Sequence, residues 1–259
     1  MSTLMPAIFI GHGNPMITLS KNAYTEAWAK IGGTLPHPKA VVVVSAHWYI
    51  TGSAVTADDS PRTIHDFGGF PQVLHDVQYP APGYPELARQ VKELLSPVPV
   101  GLDETWGLDH GTWTVLRHIF PKADIPVVQL SIDKTKPPVF HYELGKRLKP
   151  LREEGVLVIG SGNLVHNLRA YSWGDSEAPP FDWAANFEHN MRNFMRNGKD
   201  MNVVAYEELG EDAARSVPSP DHFLPLLYIL GLRREDEQIN FPIEGFDGGS
   251  MSMLSVRVG

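Results

Sequence analysis

Histidine dominates the reactive side chains of this chain: there are 11 in 259 residues, and no cysteine. Without thiols there can be no disulfide, thiolate zinc site, cysteine-ligated cluster or cysteine nucleophile. Any metal must be held by imidazole, carboxylate or carbonyl. Imidazole binds metal in its neutral form and also exchanges protons near neutral pH, so clustered histidines point to metal chemistry or acid–base chemistry. Five have suggestive surroundings. His12 lies in Gly11-His12-Gly13-Asn14-Pro15, His47 in Ser45-Ala46-His47-Trp48, and His166 in Gly160-Ser161-Gly162-Asn163-Leu164-Val165-His166-Asn167. His222 follows Ser219-Pro220-Asp221, where Ser219 reads as an N-cap and Pro220 as a first helical residue. His110 comes just before a predicted helix, next to Asp109.

The elements that must carry these residues are legible as short apolar runs. Ala7 to Ile10, Ala40 to Val44, Ile125 to Leu130 and Val156 to Ile159 read as buried strands. Helical spacing of apolar residues appears over 24–30, 85–95, 112–120, 138–151 and 181–197, several with proline near the first turn. Strand and helix alternate, which predicts an α/β fold: a central, mainly parallel sheet with helices on both faces. The stretches 239–244 and 252–258 read as late strands extending that sheet at an edge. In an open parallel sheet, ligands bind beyond the carboxyl ends of the strands. His12, His47 and His166 all follow strands and are expected on that rim, with His12 and His47 the strongest candidates for metal. The segment 58–85, rich in proline, glycine and aromatic residues, is too long for an ordinary connection and reads as an ordered lid. His65 and His75 lie within it as loop residues. His37, His118, His141 and His189 have no comparable placement and are assigned to surface or packing roles.

Composition excludes several functions. Lys+Arg 22 against Asp+Glu 30 leaves a net charge of −8, which repels phosphate backbones, so nucleic acid and anionic membrane are not expected partners. The early apolar stretch is too short for a secretory signal, and no run approaches a membrane span, which predicts a cytoplasmic protein. Hydrophobic residues make up 42% of the chain, enough for a substantial core, and no repeat or linker divides it, so residues 1–259 are expected to form a single domain. The Gly11–Met16 run lacks the third glycine of a dinucleotide fingerprint, and no Gly-Lys-Ser/Thr phosphate loop occurs. Ser161 between two glycines invites a nucleophile reading, but its flanks miss the Gly-x-Ser-x-Gly elbow.

Several segments resemble those of one enzyme family. They are Gly11-His12-Gly13-Asn14-Pro15, Val43-Val44-Ser45-Ala46-His47-Trp48, Ile64-His65-Asp66-Phe67-Gly68-Gly69-Phe70-Pro71, Trp106-Gly107-Leu108-Asp109-His110-Gly111, the Gly160 to Leu168 run and His222-Phe223-Leu224-Pro225-Leu226. In order and over nearly the whole chain, they resemble the 4,5-DOPA extradiol dioxygenase group of the class III, LigB-like ring-cleaving dioxygenases. The resemblance implies a LigB-like α/β fold with a central mixed sheet, and oxygen-dependent opening of a catechol ring beside its hydroxyls. It implies His12, His47 and His222 as metal ligands, His166 as a fourth ligand or the active-site base, and His110 as a histidine facing substrate. The implied cofactor is Fe(II) for activity, with Zn(II) as a metal the protein could carry when isolated. The implied partners are a small catechol and dioxygen. The competing enzyme reading is a zinc hydrolase on a similar scaffold, with His12, His47 and His222 holding the ion, but no glutamate is evidently placed as its general base.

Overall fold

A computed structural model describes residues 4–259. Among the described residues ten strands are formed: β1 (Ala7–Gly11), β2 (Ala40–Ile50), β3 (Ser53–Thr56), β4 (Val100–Asp103), β5 (Val127–Asp133), β6 (Val156–Gly162), β7 (Ile239–Ile243), β8 (Phe246–Asp247), β9 (Met251–Ser252) and β10 (Ser255–Val258). Eight make one sheet in the order β4-β3-β5-β2-β6-β1-β10-β7, and β8 pairs with β9 in a separate hairpin. The centre, β5-β2-β6-β1, is parallel. β3 runs antiparallel to β5 with β4 parallel beside it, and β10 and β7 extend the other edge in antiparallel fashion.

The central strands are apolar on both sides because both sides are covered. Side chains alternate between faces, so Phe9, Val42, Val44 and Val158 enter one core while Ile8, Val41, Val43 and Ile159 enter the other. The first core is closed by helices that include Pro85–Leu94, Pro138–Arg147, Asp182–Arg196 and Leu224–Leu232. All nine residues of Leu224–Leu232 are buried, the pattern of a helix enclosed by protein. The second core is closed by Ala23–Thr34, by His110–Ile119 and by the segment 58–85.

This is the expected α/β architecture with a mixed, mainly parallel sheet flanked on both faces, and the structure refines it in four places. β2 continues past Val44 to Ile50, so His47 sits within the strand, at an irregularity in its pairing with β5 between Val44 and Tyr49. Irregular pairing of this kind redirects side chains. The predicted helix 138–151 is two helices, Pro138–Arg147 and Lys149–Glu153, because Pro150 cannot continue the hydrogen-bond ladder of the first. Ser219 does not cap a helix: residues 221–223 form a turn, and the helix begins at Leu224 with Pro225 in its first turn. Finally, β3 and β4 are four-residue strands that the apolar pattern did not reveal.

The segment 58–85 is a packed wall of the protein. Leu74, Val77, Tyr79 and Ala81 are buried in the second core, the Trp113 indole N–H donates to the Ile64 carbonyl at 2.8 Å, and Ile64 N–H donates to the Leu108 carbonyl at 2.7 Å. Among the described residues no helix is long and apolar enough to cross a membrane.

Candidate metal centre and its imidazole cluster

All five singled-out histidines converge at the carboxyl ends of the parallel strands. His12 follows directly on β1, and its N–H donates to the Gly162 carbonyl at 3.0 Å. His47 is carried by the end of β2. His110 opens the helix His110–Ile119, whose N-cap Asp109 accepts from Thr112 N–H. His166 lies just beyond β6, bridged to Met251. His222 is held against β6 by close backbone approach: Asn163 N–H donates to its carbonyl at 2.9 Å, and a Cβ at Gly162 would lie 2.1 Å from that carbonyl oxygen. Only glycine leaves room for this approach.

Three of the rings form a nearly equilateral triangle. Centroid separations are 5.0 Å for His12–His47, 5.2 Å for His12–His222 and 5.0 Å for His47–His222, and one nitrogen from each lies within 4.8 Å of the others. Each ring has its other nitrogen engaged. Ser161 Oγ donates to the Gly111 carbonyl, so its oxygen accepts from His12 Nδ1 at 3.0 Å. The residue that invited a nucleophile reading therefore orients His12. His222 Nδ1 meets Asp221, and His47 Nδ1 faces Asp66 Oδ2 at 3.5 Å. With Nδ1 as the protonated nitrogen, the Nε2 lone pairs of His12 and His47 face one another at 3.2 Å, an arrangement that a shared cation relieves. Burial, reinforced by the neighbouring imidazoles, lowers the pKa of His12 and His47 well below the ordinary histidine value, keeping both in the metal-binding neutral form. The donor set thus fits a transition metal with open positions left for other ligands.

His166 stands apart from the triangle. Its ring stacks on His222 with centroids 3.6 Å apart and planes 4° apart, so it lies above its neighbour rather than edge-on to the same point. Burial, with the adjacent His222, lowers its pKa to about 2. His110 packs against His47 at a centroid distance of 3.7 Å.

Asp66 joins the cluster although the reading of strand ends did not point to it. Its Oδ1 accepts from His110 N–H at 2.8 Å, and its Oδ2 sits 2.9 Å from His110 Nδ1, a close approach rather than an aligned hydrogen bond. Burial alone would raise its pKa, but contact with His110 outweighs burial and holds it below the usual carboxylate value. The same balance, with His222 as partner, keeps Asp221 ionised. Asp66, His47 and His110 also bring donor atoms within 4.8 Å of one another. Asp66 comes from the long 58–85 segment, where spacing carries no signal; the only clue was that it stood between His65 and Phe67. Behind it, fully buried Asp109 accepts from Ser45 Oγ at 2.7 Å and meets the Gln129 amide, while Thr112 Oγ1 donates to Gln129 Oε1 at 2.8 Å. Burial, and then the charge of Asp66, raise Asp109 to about 6.

The remaining histidines lie elsewhere. His65 contacts the Val77 carbonyl at 2.9 Å and packs on Trp113, and His75 packs beside it, so neither lines the cavity. His141 is buried against the Tyr228 hydroxyl, His118 is half-buried near Thr18, and His37 and His189 are exposed.

The cluster opens into a cavity of about 450 Å³ lined by the five histidines together with Phe67, Phe70, Leu168, Trp173 and Met251. A larger cleft of about 620 Å³ lies beside it, sharing Asn14, but contains none of these imidazoles. Donor chemistry, rather than volume, singles out the smaller one.

Comparison with known proteins identifies the family. Residues 11–259 match the family described as the catalytic LigB subunit of aromatic ring-opening dioxygenase. The chain belongs to that family. It is 53% identical to an Escherichia coli K12 protein named 4,5-DOPA dioxygenase extradiol, over 100% of this chain and 96% of that one. A Beta vulgaris protein of the same name is 38% identical over 96% of this chain and 94% of its own length. The crystal structure of an uncharacterised Escherichia coli K12 protein superposes with a TM-score of 0.86 at 47% identity, covering 98% of this chain and 100% of that one. The protein is therefore a ring-opening dioxygenase, an enzyme of a metal-dependent family that acts on a small aromatic substrate with dioxygen.

Proposed function

We propose that the protein is an Fe(II)-dependent extradiol dioxygenase that opens the ring of L-DOPA or a similar catechol by 4,5-cleavage. His12, His47 and His222 hold the ion, and His110 and His166 handle protons beside it. The observation that carries this reading is the triangle of imidazoles, with the second nitrogens of His12 and His222 tied back to a hydroxyl and a carboxylate and that of His47 facing Asp66.

Bound Fe(II) supplies a redox-active centre with open positions, able to couple a catechol to dioxygen; zinc, having no accessible redox change, serves only as a stand-in. The chain's own residues supply the rest. His110, backed by Asp66, is placed to take a hydroxyl proton from the substrate, because the carboxylate fixes the imidazole and compensates the charge it gains. His166, kept neutral by burial, is placed to hydrogen-bond the substrate and later return a proton. Phe67 and Phe70 present apolar faces against which an aromatic ring can lie.

The test is anaerobic reconstitution of metal-free protein. With Fe(II), L-DOPA or another catechol is expected to consume oxygen and yield a yellow semialdehyde, while the zinc-loaded protein remains inactive. Iron-loaded protein that consumes no oxygen with any catechol overturns the proposal. His166→Ala is expected to retain metal and lose turnover; loss of metal instead would assign it as a fourth ligand.

A further inference from the structure

The floor and the mouth of the catalytic cavity differ in chemistry. A catechol with its two oxygens toward the imidazole floor carries its far ring edge, and any substituent there, at the mouth. One side of the mouth is Phe67-Gly68-Gly69-Phe70, and the other is Leu168 and Trp173. No Lys, Arg, Asp or Glu is among the residues lining this cavity. Trp173 is 65% exposed, the highest value among the large hydrophobic side chains described.

This exposure is built in. Trp173 N–H donates to the Tyr171 carbonyl, Ser172 N–H to the Gly248 carbonyl and Gly248 N–H to the Ser176 carbonyl, each at 3.0 Å. The Tyr171 ring meets the indole in a T-shaped contact at 4.7 Å, and it occupies the space a Cβ on Gly248 would need. Gly174, at φ +94°, makes the turn that follows. The loop thus holds a large apolar ring in water at the lip of the active site, where it contributes nothing to either core. An indole held exposed beside a cavity is available to a molecule that enters it. The same loop continues to Asp175 and Glu177, both exposed, and the nearby Arg169 does not line the cavity.

We propose that Trp173 determines specificity by receiving the cationic amine of the substrate's side chain on its indole face. The enzyme then favours catechols with an ammonium-bearing substituent over those whose substituent carries only a carboxylate. This rests on the cavity being the site of catechol ring opening. Tryptophan offers the strongest cation–π face among the side chains. A substituent carboxylate meets no cationic side chain among the residues lining the cavity and is repelled by the negative face of the indole.

The experiment uses iron-loaded enzyme and three catechols: 4-(2-aminoethyl)catechol, 4-ethylcatechol and 3-(3,4-dihydroxyphenyl)propionate. The expected order of kcat/KM is amine, then neutral, then acid. Trp173→Ala is expected to raise KM for the amine by about fivefold to tenfold with kcat nearly unchanged, against less than about threefold for the neutral compound. Trp173→Phe is expected to restore part of the difference, and the thermal midpoint of both variants should match the parent. An equal rise in KM for all three compounds would reduce Trp173 to an unselective apolar wall and overturn the inference, as would no change for any. Failure of the parent enzyme to open any of the three compounds with iron bound strikes at the catechol reading itself, a result separable from loss of amine preference alone.

Discussion

Two buried polar clusters sit near opposite ends of β1. Before it, fully buried Arg152 donates to the Met5 carbonyl at 2.7 Å, to the Leu232 carbonyl at 2.9 Å and to Glu237 Oε2 at 2.7 Å. Contact with Arg152 outweighs the upward push of burial and holds Glu237 below the usual carboxylate pKa. After β1, the imidazoles of His12, His47 and His222 are crowded together, with the outer nitrogens of His12 and His222 bonded, that of His47 facing Asp66 at 3.5 Å, and the inner nitrogens of His12 and His47 turned toward one another. The first cluster has a protein partner for each charge and serves stability. The second is satisfied only on its outer side, and its inner side matches something that is not protein. Burial of polar groups does not by itself mark a functional site; the direction in which partners are missing does.

Substitution at each end can break or sharpen that contrast. His47→Ala is expected to lower metal content and reduce turnover on the order of 10³-fold or more, while the unfolding midpoint of the metal-free protein barely moves. Elemental analysis beside a denaturant titration checks both halves. Arg152→Ala should do the reverse, destabilising by about 3 kcal/mol because the buried Met5 and Leu232 carbonyls and Glu237 lose the guanidinium that they share, with turnover per folded, metal-loaded molecule unchanged. If Arg152→Ala instead spared stability and abolished turnover, the two ends would not differ as described.

Smaller effects dissect the rim. Asp66→Asn is expected to lower kcat about 100-fold while metal is retained, since it removes the charge behind His110 and leaves the triangle in place. Its signature is a changed pH–rate profile at unchanged metal stoichiometry. Ser161→Ala should weaken metal affinity by about tenfold to 100-fold through loss of the hydrogen bond that orients His12, measured by competition with a chelator.

Acid separates the two clusters in another way. His12, His47 and His166 have folded pKa values below the unfolded value near 6.5, so the unfolded chain takes up protons first as pH falls. Stability of the metal-free protein is therefore expected to decline below about pH 6.5, whereas the Glu237 contribution is lost only below the carboxylate range. Metal should stay bound in the folded protein below pH 6.5 and leave as the chain unfolds. Gradual metal release centred near pH 6.5 with the fold intact would contradict the neutral-imidazole picture.

What could be read directly from residues was whatever depends on local pattern. Apolar runs such as Ala40 to Val44 and Val156 to Ile159 identify buried parallel strands because both faces must be covered, and histidines following strands must then meet at one rim. Short strands such as β3 and β4 escaped because four residues carry little periodicity, and they are stabilised by neighbours distant in the chain. The break at Pro150 followed from a local rule that the longer apolar pattern obscured.

The chain alone therefore determined the α/β layering, the exclusion of thiol chemistry and the set of histidines able to cluster. Tertiary structure decided which three share a point, that His166 stacks on His222 instead of joining them, and that Asp66 arrives from a long loop to stand behind His47 and His110. The reason is physical: strand identity follows from solvent exclusion along a few neighbouring residues, whereas ring orientation and charge pairing depend on separations of ångströms between segments that meet only once the core has formed.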